Sequence, residues 1–141
     1  MVLTVRGIGR ALMRGQKMRA CVLVADDDPI QLQEMAEFLR ARGFDVIEAS
    51  DGHEAIGMIT RMRPRALMLD VNMPGWDGVR VAEAARGLDH KIVTILMTGE
   101  AEKYDYASLA DCGAVAVFRK PVPVAHITGF LQNALGRSNA A

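Results

Sequence analysis

Four short stretches of this 141-residue chain place chemically capable side chains at or just after apolar runs. Asp26, Asp27 and Asp28 follow CVLVA, Asp70 closes ALMLD, Thr98 and Gly99 end IVTILMTG, and Lys120-Pro121 come soon after AVAVF. Carboxylates gathered in one place repel each other unless a cation neutralises them. Mg2+ is the usual answer: it takes hard oxygen ligands in an octahedron, keeps several waters and leaves room for a phosphoryl oxygen. A Lys and a Thr beside such a cluster would offset the charge of an incoming phosphoryl group. Each residue alone has a plainer explanation. Asp28 reads as a helix cap, Asp26 and Asp27 as a solvated acidic turn, and Asp70 as a strand-end residue without chemistry. The case for chemistry rests on the elements that would bring them to one rim.

Those elements follow from the hydrophobic pattern. Strands are expected at 21–25, 44–49, 66–70, 92–98 and 114–118. Four are near-continuous apolar runs, as strands buried on both faces of a parallel sheet require. The second carries Asp45 and Glu48 and suits an edge. Helices are expected at 29–41, 53–62, 78–87, 101–111 and 124–135, the first opened by Asp28 as cap and Pro29, and ended by Gly43. Five βα units predict an α/β fold, a doubly wound parallel sheet with right-handed crossovers. In such folds ligands sit at the carboxyl ends of the strands, near the switch in strand order. The acidic triplet, Asp70, Thr98 and Lys120 all fall there.

Composition narrows the class. Half of the residues are hydrophobic and 24% are charged, enough for one cored domain and unlike a disordered or disulfide-stapled chain. No apolar run approaches the roughly 20 residues of a membrane span, so no membrane insertion is expected. Cys21 and Cys112 lack metal-site spacing and suit a reducing, cytoplasmic setting, and His53, His90 and His126 read as surface residues. Met58, Met62 and Met68 read as core filler. The formal net charge of zero hides a split. Arg6, Arg10, Arg14, Lys17 and Arg19 give the first 20 residues +5, while the other 12 basic residues face all 17 acidic ones. Residues 1–19 therefore read as a basic N-terminal extension or a misplaced start, 20–136 as the domain, and 137–141 as a C-terminal tail. The acidic body argues against nucleic-acid binding.

The motifs VLVADDDP (22–29), LMLDVNMPGWDG (67–78), LMTGE (96–100) and FRKPV (118–122), in order and each at a strand end, resemble the response-regulator receiver domain of two-component signalling. The resemblance covers about residues 20–136. It implies a flavodoxin-like (βα)5 fold with strand order 2-1-3-4-5. It implies that Asp70 is the phosphoacceptor, that Asp27 binds Mg2+ directly, that Asp26 acts through water, and that the Asn72 backbone carbonyl completes the metal site. Thr98 would hydrogen-bond the phosphoryl group and Lys120 would pair with it, next to a cis Lys120–Pro121 bond. Asp70 is expected to face both the metal and Lys120, with one oxygen free for in-line attack. The partners implied are a sensor histidine kinase or histidine phosphotransfer protein upstream and a protein target downstream. Such a domain is a signalling acceptor that catalyses its own phosphorylation and dephosphorylation, not an enzyme on other substrates.

One departure matters. Receivers usually carry Tyr or Phe three residues before the site lysine, and here that residue is Val117. Phe118 should face the opposite side of the sheet. The usual aromatic readout is therefore altered, and the loop and helix after Thr98, with Tyr104 and Tyr106, are expected to carry the signal. Asn72 and Glu100 are expected to flank the path of the hydrolytic water and to shorten the acyl phosphate's life. Two alternatives stay open. One is a pseudo-receiver that binds partners without phosphorylation, which Val117 favours. The other is an aspartate-dependent phosphatase, which Asn72 disfavours because an amide cannot protonate a leaving group.

Overall fold

The computed structural model describes residues 19–100 and 103–139. Five strands, β1 (Cys21–Ala25), β2 (Asp45–Ala49), β3 (Ala66–Asp70), β4 (Val93–Thr98) and β5 (Ala116–Arg119), form one parallel sheet in the order β2-β1-β3-β4-β5. Five helices connect them: α1 (Pro29–Ala41), α2 (Gly52–Met62), α3 (Gly78–Leu88), α4 (Tyr106–Ala110) and α5 (Val124–Asn139). The expected fold class and strand order are those observed.

Alternation along the strands builds two apolar layers. Leu23, Leu67, Leu69 and Leu96 face α2, α3 and α4, where Ala55, Ile59, Val81, Ala85 and Leu109 meet them. Val22, Val24, Met68 and Ile95 face α1 and α5, against Leu32, Leu39, Ile127 and Leu131. The edge strand β2 is more exposed than β1 and β3, as its acidic residues predict. Val117 joins the first layer and Phe118 the second, where its ring meets Phe130 edge-on at 6.0 Å between centroids.

Helix starts follow local chemistry. The Asp28 carboxylate accepts from the Ile30 and Gln31 amides, and Pro29 takes the first helical position. Gly43, at φ +94°, turns the chain out of α1. Asp51 caps α2 by accepting from the Glu54 amide at 2.7 Å, so that helix begins at Gly52. Its last residue, Met62, is 55% exposed rather than core filler. Gly52 leaves no room for a side chain, since a Cβ there would lie 1.9 Å from the Trp76 carbonyl oxygen.

Two helices differ from expectation. Within 101–111 the helix is confined to Tyr106–Ala110, because Asp105 caps it by accepting from the Ala107 amide; residues 101–102 lie outside the described residues. The last helix runs to Asn139, into the stretch 137–141 expected as tail, and residues 140–141 lie outside the described residues. Strand β5 is displaced toward Arg119, and residues 1–18 of the expected extension lie outside the described residues. Among the described residues no helix is long and apolar enough to cross a membrane.

Candidate functional site

The chain switches direction at β1, which pairs with β2 on one side and β3 on the other. The crevice this opens at the carboxyl ends of β1 and β3 is where such sheets bind ligands. It forms an open cleft of about 650 Å3. Asp26, Asp27, Asp70, Asn72, Glu100 and Lys120 all line it, joined by Gln31 from the first turn of α1.

Asp26 is held by its backbone amide on Ala49 O at 3.1 Å and is almost fully buried. Both of its oxygens are engaged: Oδ1 accepts from the Asp28 amide at 2.9 Å and Oδ2 from Lys120 Nζ at 2.9 Å. Asp27, by contrast, is exposed. Ligand atoms from Asp26, Asp27 and Asp70 lie within 4.8 Å of one another. Three carboxylates against one ammonium leave a local excess of negative charge, and a divalent cation fits such an all-oxygen donor set. The exposed Asp27 suits a direct ligand, and the engaged Asp26 suits action at longer range.

Asp70 ends β3 and is buried. Its Oδ1 accepts from the Asn72 amide at 3.0 Å and its Oδ2 from Lys120 Nζ at 3.2 Å. The expectation of one free oxygen is therefore corrected: each oxygen carries one hydrogen bond and retains a second lone pair. Burial raises the Asp70 carboxyl to about 6, despite the Asn72 amide and Lys120, which oppose the rise, while Asp26 adds to it. Burial would lower Lys120, but its hydrogen bond to Asp26 and the charges of Asp70 and Asp26 outweigh that and hold the ammonium above its ordinary value. Close packing fixes the Asp70 backbone, because a Cβ on Gly78 would lie 2.5 Å from Asp70 O. The first turn of α3, capped by Asp77, thus presses on the end of β3.

Thr98 is fully buried and does not line the cleft. Its Oγ1 accepts from the Glu100 amide at 3.0 Å, leaving its own proton to donate. Its carbonyl accepts from the Lys120 amide at 2.8 Å, which ties β4 to the lysine beside a cis Lys120–Pro121 bond. Asn72 and Glu100 do reach the cleft, and each side chain has a hydrogen-bond partner. The Asn72 carboxamide oxygen accepts from the Tyr104 hydroxyl, and Glu100 pairs with Lys103 at 3.0 Å. Val117 lies across from Leu96, below the rim.

Two contacts escape sequence reasoning. Lys120 Nζ donates to Gln31 Oε1 at 2.7 Å, across 89 residues. Tyr104 reaches Asn72 across 32 residues from an irregular loop that has no periodicity to read. For Gln31 a signal existed: the third residue of a helix that starts at the rim lies within reach of the rim.

A family model for the response regulator receiver domain matches residues 22–132. The transcriptional regulatory protein PrrA of Mycobacterium leprae is 35% identical over 119 residues, 84% of this chain and 51% of PrrA. Sporulation initiation phosphotransferase F of Bacillus subtilis is 27% identical over 110 residues, 78% of this chain and 89% of that protein. The chain thus spans about half the length of PrrA and most of the length of the phosphotransferase. Among solved structures, a CheY-like receiver domain from Methanospirillum hungatei superposes with a TM-score of 0.80 at 22% identity, covering 87% of this chain and 98% of that one. The receiver domain of the sensor histidine kinase PA1611 from Pseudomonas aeruginosa, solved with magnesium coordinated in its active-site cleft, gives 0.77 at 24% identity, covering 84% and 99%. At these identities the two structures speak for the fold.

Proposed function

The chain belongs to the response-regulator receiver family, and from that premise we propose that it accepts a phosphoryl group on Asp70 and signals by phosphorylation-dependent contact with a partner protein. The donor is a phosphohistidine of a sensor kinase or phosphotransfer protein, or a small acyl phosphate. An Asp70 oxygen attacks phosphorus, the donor bond breaks, and the phosphoryl group ends as an acyl phosphate. Lys120 already hydrogen-bonds Asp70 Oδ2 and is placed to pair with the arriving charge. Thr98 keeps a hydroxyl proton to donate, and its burial means that it must turn toward the cleft to use it. Asp26, Asp27, Asp70 and the Asn72 backbone carbonyl would hold Mg2+, which when bound offsets charge on the transferring oxygens.

The observation that carries the reading is the single ammonium shared between Asp26 and Asp70 at the switch crevice. The test is incubation of the full chain with acetyl phosphate and Mg2+, read by intact mass. Wild type should gain one phosphoryl group, chelator should prevent it, and Asp70→Asn should gain none. A phosphorylated Asp70→Asn protein overturns the assignment. Phosphorylation-independent partner binding is the second reading, favoured by Val117, and a wild type that stays unmodified would select it.

A further inference from the structure

We infer that Tyr104 is a positioning residue that prolongs the life of the phosphoryl group on Asp70, by holding the Asn72 carboxamide oxygen away from the attacking water. The inference rests on the phosphoacceptor role proposed for Asp70. Asn72 is fixed next to the acceptor, since its amide donates to Asp70 Oδ1 at 3.0 Å. Its side chain lines the cleft. A carboxamide offers one acceptor oxygen and one NH2 donor group. The Tyr104 hydroxyl donates to that oxygen, which takes up one of its two lone pairs and draws it toward the Tyr104 loop.

The distinction matters for hydrolysis. Loss of the group requires a water oxygen to bond to phosphorus as the Asp70 Oδ–P bond breaks. The carboxylate leaves, inorganic phosphate forms, and one water proton passes to solvent. A nearby acceptor aids this by taking a hydrogen bond from the water and turning its lone pair toward phosphorus. An NH2 donor does the reverse, since it bonds to the lone pair that must attack. Another acceptor at the rim, the Glu100 carboxylate, pairs through Oε1 with Lys103. Each of these two side chains thus carries a hydrogen bond that competes with one from the water. Tyr104 is itself well anchored, because its half-buried ring packs against the core layer that also receives Val117.

The test uses the full chain as wild type, Tyr104→Phe, Asn72→Ala and the double variant. Each is phosphorylated with acetyl phosphate and Mg2+, freed of donor by rapid desalting, and followed by intact mass at neutral pH. Tyr104→Phe keeps the ring and removes one hydrogen bond, so its phosphoryl group should be lost about five-fold faster than that of wild type. In the Asn72→Ala background the same change should have no effect, a readout that a merely structural role would not produce. An unchanged or slower decay in Tyr104→Phe overturns the inference. So does equal acceleration in both backgrounds, which would place the effect in the loop rather than in Asn72. Failure of wild type to take up any phosphoryl group instead overturns the phosphoacceptor reading, before Tyr104 is tested.

Discussion

Lys120 donates to Asp26, Gln31 and Asp70 at once, so all three of its protons are in use and an arriving phosphoryl group must displace an acceptor. Gln31, being neutral, gives up the least charge attraction. Removing the lysine would leave Asp26 and Asp70 buried without a counter-charge. Lys120→Ala should therefore lower stability at neutral pH by roughly 2 kcal/mol, measured by urea unfolding, and abolish phosphoryl uptake. Asp70 gives a pH signature. Its carboxyl ionises near pH 6 when folded against an ordinary value of 3.8, so between those values the folded chain holds more protons than the unfolded one. Stability from this group is thus lost as pH rises through that window and regained below it. Without metal, thermal melts from pH 7 to pH 5 should show an Asp70-dependent gain. Asp70→Asn should melt higher than wild type at pH 7 and lack that gain. A wild type and an Asp70→Asn protein with identical pH profiles would contradict the raised carboxyl. At this scale the sequence marks Asp26, Asp27, Asp70, Thr98 and Lys120 because strand ends place them. It points to Tyr104 as part of the readout but not to its contact with Asn72, which depends on the path of the loop after β4.

The helices are legible where a cap and an apolar stripe agree. Asp28 with the stripe Leu32, Met35, Phe38 and Leu39 locates α1 to the residue, although Ala36 is buried more fully than Met35 and Phe38. The stretch 101–111 has Ala107 and Ala110 but an Asp at 105, and that side chain starts a five-residue helix instead of allowing a long one. Periodicity does not report where a side chain outcompetes the backbone. The short α4 and its preceding loop bear on readout. With Val117 facing the first layer and Phe118 packed edge-on against Phe130, β5 has no aromatic ring on the Val117 side to rearrange. Amide shift changes on adding an acyl-phosphate mimic with Mg2+ should therefore concentrate at 98–100 and 103–111 and be small at 115–118. Changes at Phe118 as large as those at Thr98 would point to that ring as the switch. Helix interiors also offer room for gain. A Cβ at Gly87 or Gly129 meets nothing within 4 Å, so Gly87→Ala and Gly129→Ala should each add about 0.5–1 kcal/mol, read as a higher melting temperature.

At the scale of the whole molecule, the reversal of strand order at β1 makes one crevice, and that crevice gathers residues separated by up to 94 positions. The alternation of apolar runs and helical stripes is enough to foresee this, because five βα units with right-handed crossovers leave few arrangements. The described residues supply a five-stranded sheet, two core layers and the cleft lining named above. A protein starting at Met18 should accordingly keep its melting temperature and its phosphoryl uptake. A drop of several degrees would show that residues 1–17 contribute to the fold.

The contact between Gly52 and the Trp76 carbonyl also bears on how the chain can drift over generations. The obstacle at position 52 is main chain, so no exchange of the indole for another side chain relieves it. Position 52 is thus held to hydrogen alone, whatever side chain position 76 carries. A lineage that loses this glycine would have to reshape the loop from Val71 to Asp77, and with it the seat of Asn72. In a saturation library scored for folding, position 52 should admit only glycine, while Gly87 and Gly129 accept many replacements. The two histories would diverge although all three residues begin as the same amino acid in a helix.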